Sequence, residues 1–150
     1  MRFHLVDRIE SWESMRHITA SKVTSVYEDY WQPTASGSLL PFGMALEALC
    51  QAGTWLVLLS SEHTKRAALL TVGEVSMHRD LRPGDILRMH VEVVSADRDA
   101  AVVDGRIEVD GAVVLEASTI MCALIDAENL DDPADTRALA RQLLGQGAPR

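Results

Sequence analysis

The spacing of apolar and polar positions changes character twice along the chain. From Met44 to Leu59 nearly every position is apolar, and Pro41 stands where a helix tolerates a missing N–H. Residues 40–59 are therefore expected to form one long helix. Because it is apolar around most of its circumference, other elements should enclose it. Its polar side chains before Ser60 are Glu47, Gln51 and Thr54, at spacings that place them on a single stripe. A carboxylate carried into a core has to be protonated, paired or set in a wet pocket, since an isolated buried charge is expensive. Glu47 is thus a candidate catalytic acid. The competing reading is that Glu47 and Gln51 only hydrogen-bond to each other and face a partner subunit.

Around the helix the pattern is that of strands. Residues 3–10 and 15–26 have a mixed apolar and polar texture, with Glu13 and Ser14 in the turn of a first hairpin. Residues 26–40 show no helical period and read as a long loop, a length that tends to carry function. After a polar connection at 60–66, four strands are expected at 67–79, 85–97, 100–110 and 112–125. Arg82-Pro83-Gly84-Asp85, Asp97-Arg98-Asp99 and Asp110-Gly111 mark the turns between them. Two strands, a helix and four strands give an α+β chain in which an antiparallel sheet of about six strands wraps one long central helix. That arrangement is the hot-dog fold, the simplest cover for a helix apolar on all sides. Residues 1–125 form this domain. Residues 126–150 are read as an acidic link, with Asp126, Glu128, Asp131, Asp132 and Asp135, then a short peripheral C-terminal helix and a frayed tail.

Composition narrows the functional classes. A chain of 150 residues fits one domain with a substantial core, and 47% hydrophobic with 24% charged residues is ordinary globular usage. A formal net charge of −8 argues against nucleic-acid binding, which needs a basic face. The start MRFHLVDRIE lacks an apolar signal-peptide core, and the apolar run ending at 55–61 is too interrupted to span a membrane. The expected compartment is the cytoplasm. Cys50 and Cys122 lack metal-ligand spacing and read as core thiols. No metal and no cofactor is expected.

Three stretches then carry a family resemblance. LVDRIESWE at 5–13 with the strand MRHITASKV, LPFGMALEALCQAG at 40–53, and HRDLRPGDILRMHVEV at 78–93 resemble the bacterial 3-hydroxyacyl-acyl-carrier-protein dehydratases of fatty acid synthesis. The likeness covers most of residues 5–125. It implies that Glu47 is the helix carboxylate that helps the 3-hydroxyl leave as water, and that Gln51 is the family's helix Gln. It implies also that a helix N-terminal N–H, here of Phe42 or Gly43, polarises the thioester carbonyl. In the family a loop His from one subunit faces the helix carboxylate of the other and removes the proton alpha to the thioester. In this chain Thr34 stands at that position, between Pro33 and the run to Gly37, and the loop is one residue shorter before Pro41. Thr34, Gly37, Phe42, Gly43 and Gln51 are accordingly the expected substrate-binding residues.

Three functions compete on these residues. The first is a divergent 3-hydroxyacyl-thioester dehydratase of fatty acid or polyketide metabolism, with Glu47 as acid. The second is a hot-dog thioesterase, in which a helix carboxylate activates water or attacks the thioester without needing the loop His. The third is a non-catalytic acyl binder, or one subunit of a heterodimer whose partner supplies the base. Phe42, Leu46, Leu49, Trp55 and Met77 are candidate walls of an acyl tunnel. Lys65, Arg66, Arg79, Arg82 and Arg88 are the basic residues available to dock an acidic acyl carrier protein. None of His4, His17, His63, His78 and His90 is placed near Glu47 by sequence, His78 being the nearest candidate because its strand packs by the helix. A homodimer joined edge to edge through its sheets is expected.

Overall fold

The computed structural model describes residues 3–145. In chain order the strands are β1 (Arg8–Glu13), β2 (His17–Val23), β3 (Gln32–Thr34) and β4 (Gly37–Leu39), followed by helix α1 (Phe42–Ser60). Then come β5 (Lys65–Met77), β6 (Ile86–Ala96), β7 (Ala100–Val109), β8 (Ala112–Asp126) and helix α2 (Pro133–Leu143). Six strands form one antiparallel sheet in the order β1-β2-β6-β7-β8-β5, and β3 with β4 makes a separate small hairpin. This is the hot-dog arrangement expected from the order of elements. The first strand lies later than its texture suggested: residues 3–7 precede β1, and Met15, at φ 48°, turns the chain into β2. The loop expected over 26–40 is not featureless, since β3 and β4 lie within it.

Short turns set the register of the later strands. Asp110 and Gly111 both have positive φ, 52° and 79°, and join β7 to β8 in the two-residue turn that matches strand twist. At the other reverse turn, Asp85 N–H donates to the Arg82 carbonyl at 3.1 Å, with Gly84 at φ +96° following Pro83. Register shifts in the β5–β8, β6–β7 and β7–β8 ladders bend the sheet, as extra residues in a ladder do. The concave face receives α1. Leu49, Ala52 and Leu56 of the helix meet Ile18, Met89, Val91, Ile107 and Leu115 of the strands, all almost wholly buried. Among the described residues α1 is the one helix long and apolar enough to cross a membrane. Its packing against β1, β2, β5, β6, β7 and β8 is that of a core helix.

Gly105 sets how closely the helix approaches. A Cβ there would lie 3.0 Å from both terminal methyls of Leu49 and 3.1 Å from the His90 carbonyl oxygen. Backbone cannot yield cheaply in a close-packed interior. Gly105→Ala should therefore destabilise the fold by roughly 1–3 kcal/mol, the usual range for overpacking. The expected reading is a lower urea midpoint with an unchanged slope.

Beyond β8, a single 3-10 turn (Ala127–Asn129) leads to α2, whose Asp132 side chain accepts the Ala134 N–H at 2.8 Å as N-cap, with Pro133 in the first turn. Ala140 and Leu143 belong to the same core as α1, so α2 is less peripheral than its polar composition suggested. Of the expected tail, residues 146–150 lie outside the described residues.

Candidate active site

Glu47 is not buried in the single chain. It stands on an exposed face of α1 with Phe42 and Gly43, while the opposite face is covered by the sheet. The expectation of a carboxylate carried into the core fails because the strands enclose only part of the helix circumference. The stripe itself is real. Glu47, Gln51 and Thr54 all line one cleft of about 360 Å³, between α1, the start of β5, the start of α2 and the N-terminal segment.

Gln51 organises this cleft. Its side-chain oxygen accepts the Leu5 N–H at 2.8 Å, and a backbone N–H can only donate, so the amide orientation is settled. Its NH2 group then donates to the Phe3 carbonyl at 3.1 Å and to Glu47 Oε1 at 2.9 Å. One side chain thus pins the strap 3–5 to the helix and orients the carboxylate. Glu47 Oε2 makes no hydrogen bond among the described residues. Cys50, next along the wall, has its thiol pushed up to about 12, first by burial and then by the nearby Glu47 carboxylate and Cys122. It is therefore a packing residue and not a nucleophile near neutral pH.

Cys50, Thr54, Ala67 and Leu69 also line a narrow apolar hollow of about 30 Å³ between α1 and the sheet. Leu49, Gly53 and Val57 of the helix and Ala101, Val103, Ile120 and Cys122 of the sheet complete its walls. The cleft thus shares four wall residues with an apolar hollow beside the helix. Of the expected tunnel residues, Leu49 lines the hollow and Trp55 the cleft, whereas Leu46 and Met77 pack against the core and Phe42 is exposed at the start of the helix.

The other expected substrate-binding residues lie elsewhere on the same chain. Thr34 and Gly37 face each other at the tip of the β3–β4 hairpin, where the Thr34 hydroxyl donates to the Gly37 carbonyl at 2.6 Å and accepts the Ser36 N–H at 3.3 Å. Arg82 Nη1 donates to the Ser36 carbonyl at 2.8 Å and would be 3.1 Å from a Cβ at Gly37, which has φ +112°. Leu40 N–H donates to the Leu81 carbonyl at 2.8 Å, so the hairpin is tied to the β5–β6 turn. Phe42 and Gly43 begin α1 without a side-chain cap, and a Cβ at Gly43 would meet nothing within 4 Å. None of Thr34, Gly37, Phe42 and Gly43 lines the Glu47 cleft of its own chain.

The five basic residues do not form one patch. Lys65 pairs with Asp126 at 2.8 Å and Arg66 pairs with Asp131, both at the start of β5. Arg79 pairs with Asp85 at 3.1 Å beyond its far end, Arg82 holds the hairpin, and Arg88 pairs with Glu10 at 2.9 Å. At about 3.3 Å per residue, the thirteen residues of β5 separate the first pair from Arg79 by roughly 40 Å. His78 is engaged by Glu116 Oε2 at 2.8 Å, and neither residue lines the Glu47 cleft. What sequence reasoning missed is the N-terminal strap and α2 as cleft walls, since their contacts join segments far apart in the chain.

The family model of the FabA-like domain matches residues 1–118. The chain belongs to the FabA-like family. FabA-like relatives include the 3-hydroxyacyl-[acyl-carrier-protein] dehydratase FabZ of Symbiobacterium thermophilum, 34% identical over 127 residues covering 83% of this chain and 89% of that protein. The FabZ of Nitratiruptor sp. is 32% identical over 123 residues, covering 77% of this chain and 83% of that protein. A Streptococcus mutans UA159 protein bound to acetyl CoA shares the fold, with a TM-score of 0.66 at 17% identity over 85% of this chain and 94% of that one. Helix α2, which lends a wall to the cleft, lies beyond the matched residues.

Proposed function

We propose that this FabA-like protein acts on 3-hydroxyacyl thioesters and removes water from them, with Glu47 giving its proton to the departing 3-hydroxyl. The observation that carries the reading is the Glu47 carboxylate, oriented by Gln51 in a cleft that shares the walls Cys50, Thr54, Ala67 and Leu69 with the apolar hollow beside α1. A thioester head has its chemistry at the carboxylate while the acyl chain is drawn toward the apolar interior. Hydrolysis of the thioester is the second reading. It is favoured by Thr34, a residue that cannot act as a base near neutral pH at the loop position.

The expected working form is a homodimer. One sheet edge, β1, is short, has a register shift and carries Arg8, Glu10 and Glu13, features that discourage pairing. The other edge, β5, runs for thirteen residues with Leu69 and Leu70 49% and 60% exposed. Pairing of two β5 edges would cover these leucines and bring the hairpin of one protomer, with Thr34 and Gly37, and the Phe42–Gly43 helix start toward the Glu47 cleft between protomers. Light scattering at micromolar concentration should give twice the 16.5 kDa chain mass; a mass of one chain would sink the shared site.

A carrier protein would dock, in the cytoplasm, through Lys65 and Arg66 beside the cleft, or through Arg79 and Arg82 by the turn that holds the hairpin together with Arg88 on β6. The test of function is one assay with two readouts. A 3-hydroxyacyl thioester is incubated with the full chain while enoyl product and free thiol are followed together. Enoyl formation supports dehydration. Thiol release without enoyl product moves the hydrolase reading to the front, and neither product leaves a non-catalytic acyl binder.

A further inference from the structure

Removing a proton from the carbon next to a thioester carbonyl needs a base that is available near neutral pH. The hairpin offers only hydroxyls, Thr34 and Ser36, and both are used in closing their own turn. Any other base has to come from the cleft itself. Of its titratable side chains, Glu47 is the proposed acid, the Cys50 thiol is pushed up to about 12, and Arg66 cannot accept a proton. Asp131 and Asp135 already have polar partners, Asp131 in its ion pair with Arg66.

One side chain remains, His4. The chain has five histidines, and the other four are placed elsewhere: His17 beside Glu13, His63 after α1, His78 on Glu116, and His90 between Thr19 and Glu108. Only His4 lines the cleft that holds Glu47. Its position is built rather than incidental, because the backbone on either side of it, the Phe3 carbonyl and the Leu5 N–H, is held by Gln51, the same amide that donates to Glu47. Imidazole is also the side chain whose ordinary ionisation suits proton transfer near pH 7.

We propose that His4 is the catalytic base of this site, supplied from the strap at the start of the chain. The inference rests on the dehydration reading above and names the group that reading lacks. In the step, His4 takes the C2 proton, the electrons of that C–H bond form the C2=C3 double bond, and the C3–O bond breaks. Glu47 passes its proton to the leaving oxygen, which departs as water. The imidazolium and the carboxylate left behind are restored when the imidazolium returns its proton to Glu47, so no further reactant is needed.

The experiment uses the full chain and a 3-hydroxyoctanoyl thioester of N-acetylcysteamine, with two readouts: enoyl formation, and exchange of the C2 proton for deuterium in heavy water. His4→Gln keeps the size and polarity of the exposed side chain and removes the base, and His78→Asn serves as the control. The expected result is a loss of about a hundredfold to ten-thousandfold in both readouts for His4→Gln, the usual worth of a general base, with His78→Asn at the wild-type rate. Wild-type rates in His4→Gln would overturn the role of His4 and leave the dehydration reading standing. Exchange that is present in the wild type, lost in His4→Gln and unaccompanied by enoyl product would support His4 and overturn dehydration. A wild-type protein that does neither would overturn both.

Discussion

Replacing Glu47 with Gln is expected to lower kcat for enoyl formation by about a hundredfold to ten-thousandfold, the range for loss of a general acid. The amide keeps the shape of the side chain, and its oxygen can still accept from Gln51 Nε2, as Glu47 Oε1 does at 2.9 Å. What is lost is the transferable proton, an interaction made in the transition state and not in the ground state. KM should therefore move little while kcat falls. Stability should also hold, because Glu47 is exposed and substitutions at such sites usually stay within about 0.5 kcal/mol. A urea midpoint equal to wild type alongside the fall in kcat would separate chemistry from folding. Unchanged turnover would remove Glu47 from the mechanism, whichever thioester reaction the protein performs.

The largest stability effect is expected at Glu28. Lys22 alternates along β2 with Ile18 and Ala20, so its side chain enters the core side of the sheet and is only 8% exposed. Its ammonium is paired with Glu28, and Asp7 Oδ2 lies 3.6 Å away. Burial pushes the Glu28 carboxyl up, but the Lys22 ammonium and the Ser25 N–H outweigh it and hold the group below its ordinary value. Glu28→Gln leaves the buried ammonium with Asp7 alone and should cost roughly 2–3 kcal/mol, below the usual range for breaking a buried pair because that second carboxylate remains. The sign with pH follows from the lowered value. The Glu28 contribution is fully present above the unfolded carboxyl pKa near 4.5 and is lost as pH falls through the lower folded value. Wild type and Glu28→Gln should thus differ most at neutral pH and converge in acid, as read from urea midpoints. The pair also anchors the segment that leads into β3, where Trp31 Nε1 donates to the Ser25 carbonyl at 2.7 Å. Loosening it should blur the hairpin that carries Thr34.

Much of the architecture could be read before any coordinates, because it rests on local period and turn chemistry. The long, mostly apolar run could be read as a core-packed helix, and Asp110-Gly111 and Pro83-Gly84 as turns. Glu47 with Gln51 was likewise legible, since residues four apart on a helix must face the same way. The β3–β4 hairpin escaped because three-residue strands leave no periodic trace, and its closing bonds come from Thr34, a side chain that reads equally well as loop.

What sequence alone determined, then, is the helix, the order of strands and the pair Glu47 and Gln51. All of these depend on residues at most a few positions apart. What only the tertiary structure decided is which distant groups share the cleft. Gln51 bonds to residues 46 and 48 positions away, which puts His4 in the cleft that holds Glu47. The length of β5 pulls apart basic residues that composition would have grouped, and the incomplete wrap of the sheet leaves exposed a carboxylate that helix pattern would have buried. Such relations are set by the path of the chain through space, and no local spacing encodes them.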